Sequence, residues 1–162
     1  MLVIENLRIY TEKGEVPLDP EYVTPIGLAS VAREGKDITL VSHGYATVRA
    51  MRVAQQLADE HGVSAEVVDL RSLRPLDVET VAASVARTNR VVCVEEGWPS
   101  YGVTAELAAR IQKACFDDLD APVERVGMAE VPLPYAKNLE RLALPGEDRL
   151  AAAALATLGV AP

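Results

Sequence analysis

Short apolar runs alternate with longer amphipathic stretches along most of the chain. Four runs rich in Val, Ile and Leu predict buried strands, and they lie at 38–41, 65–70, 90–94 and 123–126. Four stretches with apolar residues every three or four positions predict amphipathic helices, and they lie at 46–61, 78–87, 103–115 and 147–158. Strands that alternate with helices indicate βαβ units with right-handed crossovers, so we expect an α/β fold with a mainly parallel sheet.

Capping residues mark the ends of several of these elements. Gly62 and Gly159 follow helical patterns and are typical helix stops. Asp77 is a natural N-cap for the helix at 78–87. The prolines and tyrosine of 132–135 predict an extended segment that crosses between elements.

The first 24 residues follow neither the strand pattern nor the helix pattern of apolar positions. A short apolar run at 2–4 leads into a polar stretch interrupted by prolines, which predicts an entering strand or arm and then a surface loop. We therefore expect an N-terminal arm or interdomain linker at 1–24 and one domain at 25–162.

Composition and charge narrow the classes of protein. The chain has 162 residues, of which 49% are hydrophobic and 25% charged, as in one globular domain. Sixteen basic and 24 acidic residues give a net charge of −8. That balance argues against nucleic acid or an anionic membrane as the partner, and it leaves room for a basic protein.

Neither a membrane span nor a secretory signal is visible, because no uncharged apolar stretch approaches ~18 residues and the start lacks a basic region and a cleavage site. We therefore predict a cytoplasmic protein. Two cysteines, Cys93 and Cys115, are too few for a disulfide framework, and their apolar surroundings predict reduced core thiols.

Ligand sites in open α/β sheets lie at the carboxyl ends of strands, where this chain has two polar pairs. Ser42 and His43 would be a nucleophile and base only if they converged, but neighbouring side chains on a strand point to opposite faces. A polar strand end that contacts an anion or another subunit is the better interpretation. Glu95 and Glu96 are either an acid–base pair or strand-end carboxylates that bond a loop or an interface.

Other chemistry has little support in the sequence. The histidines and cysteines lack metal-ligand spacing, and neither a dinucleotide fingerprint nor a Walker loop occurs. Trp98, the only tryptophan, either caps the core or anchors a protein contact. The residues alone therefore predict a domain with no catalytic, cofactor-binding or metal-binding residue of its own.

Several long motifs resemble the β subunit of the thiamine-diphosphate-dependent pyruvate dehydrogenase component. The stretch V-C-V-E-E-G-W-P-S-Y-G at 92–102 is similar to that subunit's V-x-V-E-E-G-W-P-x-x-G. The stretch D-A-P-V-E-R-V at 120–126 and the stretch V-P-L-P-Y-A-K-N-L-E at 131–140 resemble its D-A-P-x-x-R-V and V-P-x-P-Y-A-x-x-L-E. The likeness covers essentially the whole chain and matches the C-terminal half of the subunit.

The resemblance implies a fold, and it implies which parts of the enzyme bind the cofactor. The C-terminal half is a transketolase C-terminal-like domain, a three-layer α/β/α sandwich with a five-stranded, mainly parallel mixed sheet. Thiamine diphosphate and magnesium serve the complete enzyme, but the pyrimidine-binding domain and the α subunit's G-D-G motif hold them. No G-D-G occurs here. The chain alone is therefore expected to bind neither and to be inactive.

The resemblance also implies partners. These are an α subunit, a second β subunit in a heterotetramer, and the basic peripheral subunit-binding domain of the dihydrolipoyl acyltransferase. Asp120 and the terminal carboxylate of Pro162 match the docking contributions, although Asp120 is equally an ordinary exposed acid of the loop at 117–120. The candidate interface residues are Glu95, Glu96, Trp98 and Tyr101. We expect the isolated domain to form a homodimer.

The sequence thus predicts the assembly and docking domain of a pyruvate, or other 2-oxo acid, dehydrogenase β subunit, which supports oxidative decarboxylation and acyl transfer to lipoyl groups. Two alternatives stay open. One is half of a split transketolase-like or acyloin-forming thiamine enzyme. The other is a free-standing α/β module that binds a small ligand.

Overall fold

A single mixed sheet organises the protein, whose computed structural model describes residues 2–160. Its strands are β1 (Ser30–Arg33), β2 (Ile38–Ser42), β3 (Ala65–Asp69), β4 (Val91–Val94) and β5 (Glu124–Val126). Their order across the sheet is β1-β3-β2-β4-β5. The last four run parallel, and β1 pairs antiparallel with β3 at one edge. The expected five-stranded, mainly parallel mixed sheet is therefore confirmed.

Helices cover both faces of this sheet. They are α1 (Tyr45–His61), α2 (Val78–Thr88), α3 (Val103–Ala114), α4 (Lys137–Ala143) and α5 (Glu147–Leu158). The apolar faces of α1 and α5 pack on one side of the sheet, and those of α2 and α3 pack on the other. This arrangement confirms the three-layer α/β/α architecture. It also explains why β2 and β4 are buried along their whole length, since parallel strands covered on both faces need apolar side chains on both.

Helix ends follow the capping rules. Gly62 and Gly159 both adopt the left-handed conformation that ends α1 and α5. Asp77 caps α2, because its carboxylate accepts the Thr80 N–H at 3.0 Å. The same carboxylate accepts the Ala29 N–H at 2.8 Å, so the cap also fixes the segment that enters the sheet.

Two elements were not predicted. β1 has four residues, a register irregularity and no alternating burial, so it lacks a strand pattern. α4 has seven residues and buries only Ala143, so it lacks a helical apolar face. The arm contains no strand at 2–4, and a 3₁₀ turn spans Leu7–Thr11 instead. The boundary predicted at residue 25 stays a prediction.

One carboxylate lies inside the sheet. Glu66 on β3 is 1% exposed and accepts hydrogen bonds from the Arg87 guanidinium and from the Gly35 N–H, the latter at 3.3 Å. Burial by itself raises the pKa of Glu66, but the hydrogen bonds from Arg87, Ser84 and Gly35 outweigh it and hold the pKa below its usual value. Gly35 is required here, because a Cβ would lie 2.1 Å from the Glu66 nitrogen.

We expect Glu66 to make stability depend on pH. Because its pKa is lower in the folded than in the unfolded state, its contribution is present above the unfolded pKa of about 4.3 and is lost as the pH falls through the folded value. Glu66→Gln should lower the free energy of unfolding by about 1–3 kcal/mol at neutral pH and flatten the acid limb. Urea unfolding across the acid range measures both effects.

The control is Glu124→Gln, which removes an exposed carboxylate. It should change the free energy of unfolding by no more than about 0.5 kcal/mol. Equal losses from the two variants would show that the buried ion pair contributes nothing specific.

Candidate functional site

The candidate interface lies in the loop that follows β4, and Glu95 anchors it. This side chain is 4% exposed, and its carboxylate accepts the N–H groups of Val103 at 3.1 Å and Thr104 at 2.9 Å, together with the Thr104 hydroxyl. Those N–H groups belong to the first turn of α3, whose N-cap Gly102 has no side chain to accept them. Glu95 therefore caps α3 from the end of the sheet and places a negative charge at the helix N-terminus.

The glycines of this loop are required by close packing. A Cβ on Gly102 would lie 2.2 Å from the Glu95 carboxylate and 2.3 Å from the Trp98 carbonyl oxygen. On the neighbouring segment, a Cβ on Gly127 would lie 2.8 Å from the Gly97 carbonyl oxygen. The glutamate and glycine positions of the E-E-G-W-P-x-x-G motif thus form one structural unit.

Two aromatic side chains project from the loop. Trp98 is 45% exposed, and its indole N–H donates to the Val131 carbonyl at 3.3 Å. It therefore partly covers the domain and partly faces outward, and a protein contact by its exposed part stays a prediction. Tyr101 has a fully exposed side chain and a φ of 59°. The guanidinium of Arg125, on β5, fixes the loop by donating to the Pro99 carbonyl at 2.8 Å.

Glu96 points away from Glu95, toward the N-terminal arm. Its carboxylate accepts the Asn6 side-chain amide at 3.0 Å and lies 3.3 Å from the Arg49 guanidinium and 3.9 Å from that of Arg8. Since one carboxylate caps a helix and the other holds the arm, the two do not form an acid–base pair. Glu95 is buried, so any role at an interface would be to fix the loop that contacts the partner. Glu96 is half-buried against the arm.

Ser42 and His43 are likewise not joined. The Ser42 hydroxyl is buried and donates to the Thr47 hydroxyl at 3.0 Å, within the first turn of α1. This geometry supports a polar strand end rather than a nucleophile with its base. Burial raises the pKa of the Cys93 thiol to about 12 and also raises that of Cys115, so neither is activated as a nucleophile. Both are buried thiols, as expected.

Asp120 lies at the opposite end of the sheet. Its side chain is 56% exposed, and one carboxylate oxygen lies 3.2 Å from the Arg90 guanidinium, just before β4. The backbone of its loop is fixed, because the Asp120 N–H donates to the Asn89 carbonyl at 2.9 Å and the Asn89 side chain donates to the Asp118 carbonyl at 2.7 Å. The structure thus presents Asp120 on a rigid, exposed loop with one cationic neighbour.

α5 begins near α1, where the Arg52 guanidinium lies 3.4 Å from Glu147, and it packs against β4 and β5. Pro162, the other predicted docking residue, lies outside the described residues.

Residues 2–160 offer neither a metal cluster nor a membrane-spanning helix. No group of three or more potential metal-ligating side chains is present within that range. No helix there has the length and apolar character needed to cross a bilayer.

Comparison with known proteins identifies relatives. Residues 27–150 match the model of the transketolase C-terminal domain. The pyruvate dehydrogenase E1 component subunit beta-1 of Arabidopsis thaliana mitochondria is 50% identical over 148 residues, which cover 90% of this chain and 40% of the relative. The mitochondrial subunit beta of Drosophila melanogaster is 50% identical over 98% of this chain and 44% of its own length. The Rhizobium meliloti subunit beta is 45% identical over 90% and 31%.

These relatives are β subunits of the pyruvate dehydrogenase E1 component, so the resemblance seen in the motifs is confirmed. The chain spans 31% to 44% of their lengths.

Solved structures support the fold. One described as a split-gene transketolase, an inactive β4 tetramer, matches with a TM-score of 0.70 and 29% identity over 88% of this chain and 45% of its own. A 2-oxoglutarate:ferredoxin oxidoreductase from Magnetococcus marinus matches with a TM-score of 0.52 at 11% identity, which shows a shared fold alone. The matched model spans the whole sheet, and the architecture and relatives agree with it: the chain belongs to the transketolase C-terminal domain family.

Proposed function

We propose that this chain is the C-terminal assembly and docking domain of a pyruvate dehydrogenase E1 β subunit. The observation that carries the proposal is 45% to 50% identity with such subunits over at least 90% of the chain. The split-gene transketolase is less similar, at 29%, so a transketolase half is the weaker candidate. The oxidative decarboxylation of pyruvate, with acyl transfer to lipoyl groups, belongs in this proposal to the longer protein and its assembly.

The described residues do not fit thiamine diphosphate or magnesium. They contain no cluster of three metal-ligating side chains. The two carboxylates at the end of β4 are not available as magnesium ligands. Glu95 caps α3, and Glu96 binds Asn6 of the arm and Arg49. In the proposed function, other parts of the assembly hold the cofactor, and this domain supplies surfaces that contact subunits and a docking partner.

The first proposed surface lies at the carboxyl end of the sheet and contacts the α subunit or a second β subunit. Trp98 and Tyr101 project there from a loop whose backbone is fixed by Glu95. The segment next to Trp98 adds Leu133, which is 55% exposed, and Tyr135, which is fully exposed. Rigid aromatic side chains beside exposed aliphatic ones are typical of interface centres.

The second proposed surface lies at the amino end and docks the basic peripheral subunit-binding domain of the acyltransferase. Asp120 is its centre, with the terminal carboxylate of Pro162 as the other predicted contribution. Asp117 and Asp118 add negative charge on the adjoining turn. The net charge of −8 favours the approach of a basic partner.

The relatives also bear on the cellular location of the protein. Plant, insect and Dictyostelium discoideum relatives are described as mitochondrial. The cytoplasmic location expected from the sequence stays a prediction for this chain.

Reconstitution tests the proposed function. The natural gene product that contains this chain, co-expressed with an α subunit, should decarboxylate pyruvate when thiamine diphosphate and magnesium are present. Activity on ketose phosphates but not on pyruvate would establish the transketolase alternative instead. For the 162-residue chain alone, both compounds should leave the melting temperature unchanged, because a ligand stabilises only a protein that binds it.

Self-association tests the first surface. Sedimentation of the chain should show a dimer or a molecular weight that rises with concentration. Tyr101→Asn should weaken association by about tenfold, because an exposed aromatic anchor is lost while asparagine tolerates the positive φ. Phe116→Asn is the matched control, since Phe116 is 70% exposed at the other end of the sheet. A strict monomer at high concentration would exclude a second β subunit as the partner of this surface.

Calorimetric titration tests the second surface, using the complete heterotetramer and the acyltransferase's binding domain. Truncating a desolvated acid costs roughly 2–5 kcal/mol, whereas an exposed rim acid contributes about 0–1 kcal/mol. Asp120→Ala should therefore weaken binding by at least about tenfold, mainly through faster dissociation. Asp117→Ala should alter little beyond the salt dependence. Equally small effects from both would make Asp120 an ordinary surface acid.

A further inference from the structure

A topological switch point lies between β2 and β4. The two strands are neighbours and run parallel, but the helices that follow them go to opposite faces, α1 to one and α3 to the other. In open α/β sheets, the crevice outside the carboxyl ends of such strands is the usual place for a ligand. Here the N-terminal arm enters the crevice, where Asn6 bonds Glu96 and the Arg8 guanidinium lies 5.8 Å from the centre of the Tyr45 ring.

A cavity of about 380 Å³ opens beside this crevice, between the arm, α1, α4 and the start of α5. Its volume falls within the ~300–1,000 Å³ usual for small-molecule sites. It is lined by Arg8, Arg49, Lys137, Glu140, Arg141, Leu144 and Gly146. Residues far apart in sequence thus meet at the place where the topology favours a ligand.

The lining is strongly basic in an acidic protein. It brings together four cations, against which stand the carboxylates of Glu140 in the wall and Glu96 behind it. Lys137 and Arg141 are four residues apart on the same face of α4, a spacing at which like charges destabilise a helix. Within residues 2–160, neither side chain takes part in an ion pair. An anion in the cavity would neutralise this excess.

Two of the cations are already held in place. The Arg49 side chain is 12% exposed, and its guanidinium donates to the Pro145 carbonyl, lies 3.3 Å from Glu96 and lies 5.4 Å from the centre of the Tyr45 ring. The Arg8 guanidinium lies 3.0 Å from Glu140. A ligand would therefore meet side chains that lose little freedom on binding.

We propose that this cavity binds the phosphate group of a small molecule. Four cations and two carboxylates leave about two positive charges, and a phosphomonoester carries ≈ −1.5 to −2 at neutral pH. Guanidinium groups match phosphate oxygens in pairs, and a lysine adds a point charge. Leu144 supplies an apolar wall for the carbon part of the ligand.

Nuclear magnetic resonance titration of the chain at constant ionic strength tests the proposal, with inorganic phosphate, glycerol 3-phosphate and succinate as probes. Both phosphates should shift the amide signals of Leu144 and Gly146 in a saturable way. Tighter binding of glycerol 3-phosphate would identify a phosphomonoester site, and equal binding would identify a site for free phosphate. Succinate binding as tight as that of the phosphates would overturn the assignment.

Paired substitutions locate the site. Lys137→Gln with Arg141→Gln should weaken phosphate binding by at least about tenfold, a loss of about 1.4 kcal/mol, and should leave the fold intact because both side chains are exposed. Arg110→Gln with Lys113→Gln removes two exposed cations from α3 and is the matched control. An equal loss in both double variants, or no saturable shift in the parent chain up to tens of millimolar phosphate, would refute the proposal.

Discussion

The carboxylate of Glu95 is the interaction on which the structure at the carboxyl end of the sheet depends. It is buried where β4 ends, and it satisfies the first N–H groups of a helix whose N-cap has no side chain. An unpaired charge at this depth would be costly, and three hydrogen-bond donors remove that cost. Because the chain must pass close around the carboxylate, Gly102 has no room for a side chain. The loop is thereby fixed, with Trp98 directed outward and Glu96 directed to the arm.

The sheet separates two kinds of surface. Its carboxyl end carries aromatic side chains and a cluster of cations, whereas its amino end carries Asp120 and its neighbouring acids. In the proposed function, this separation would let the domain contact other subunits at one end and a basic partner at the other without competition. It arises from the parallel arrangement of β2 to β5, since the loops after these four strands lie at one end and the loops before them lie at the other.

Elements with many buried side chains were predictable, and most of the others were not. The strands β2, β3 and β4 and the helices α1, α2, α3 and α5 follow apolar patterns because their side chains fill the core on either face of the sheet. β5 was predicted from the run at 123–126, although it buries only Val126. β1 and α4 bury too little to leave such a pattern. The motif around Glu95 was visible, but its role as a cap was not, because an N-cap from another element has no fixed spacing. Arg8 and Arg141 likewise meet only through the fold.

The N-terminal arm is attached differently from the rest of the chain. Its apolar residues Leu2, Ile4 and Leu7 are largely exposed, while Arg8 and Glu12 pair with charged side chains of the domain. Charge pairs near the surface are screened by salt, whereas the apolar core is not. The attachment of the arm to the domain is therefore sensitive to salt, whereas the packing of the apolar core is not. Ionic strength sets how firmly the arm is held to this domain, while the sheet itself keeps its shape.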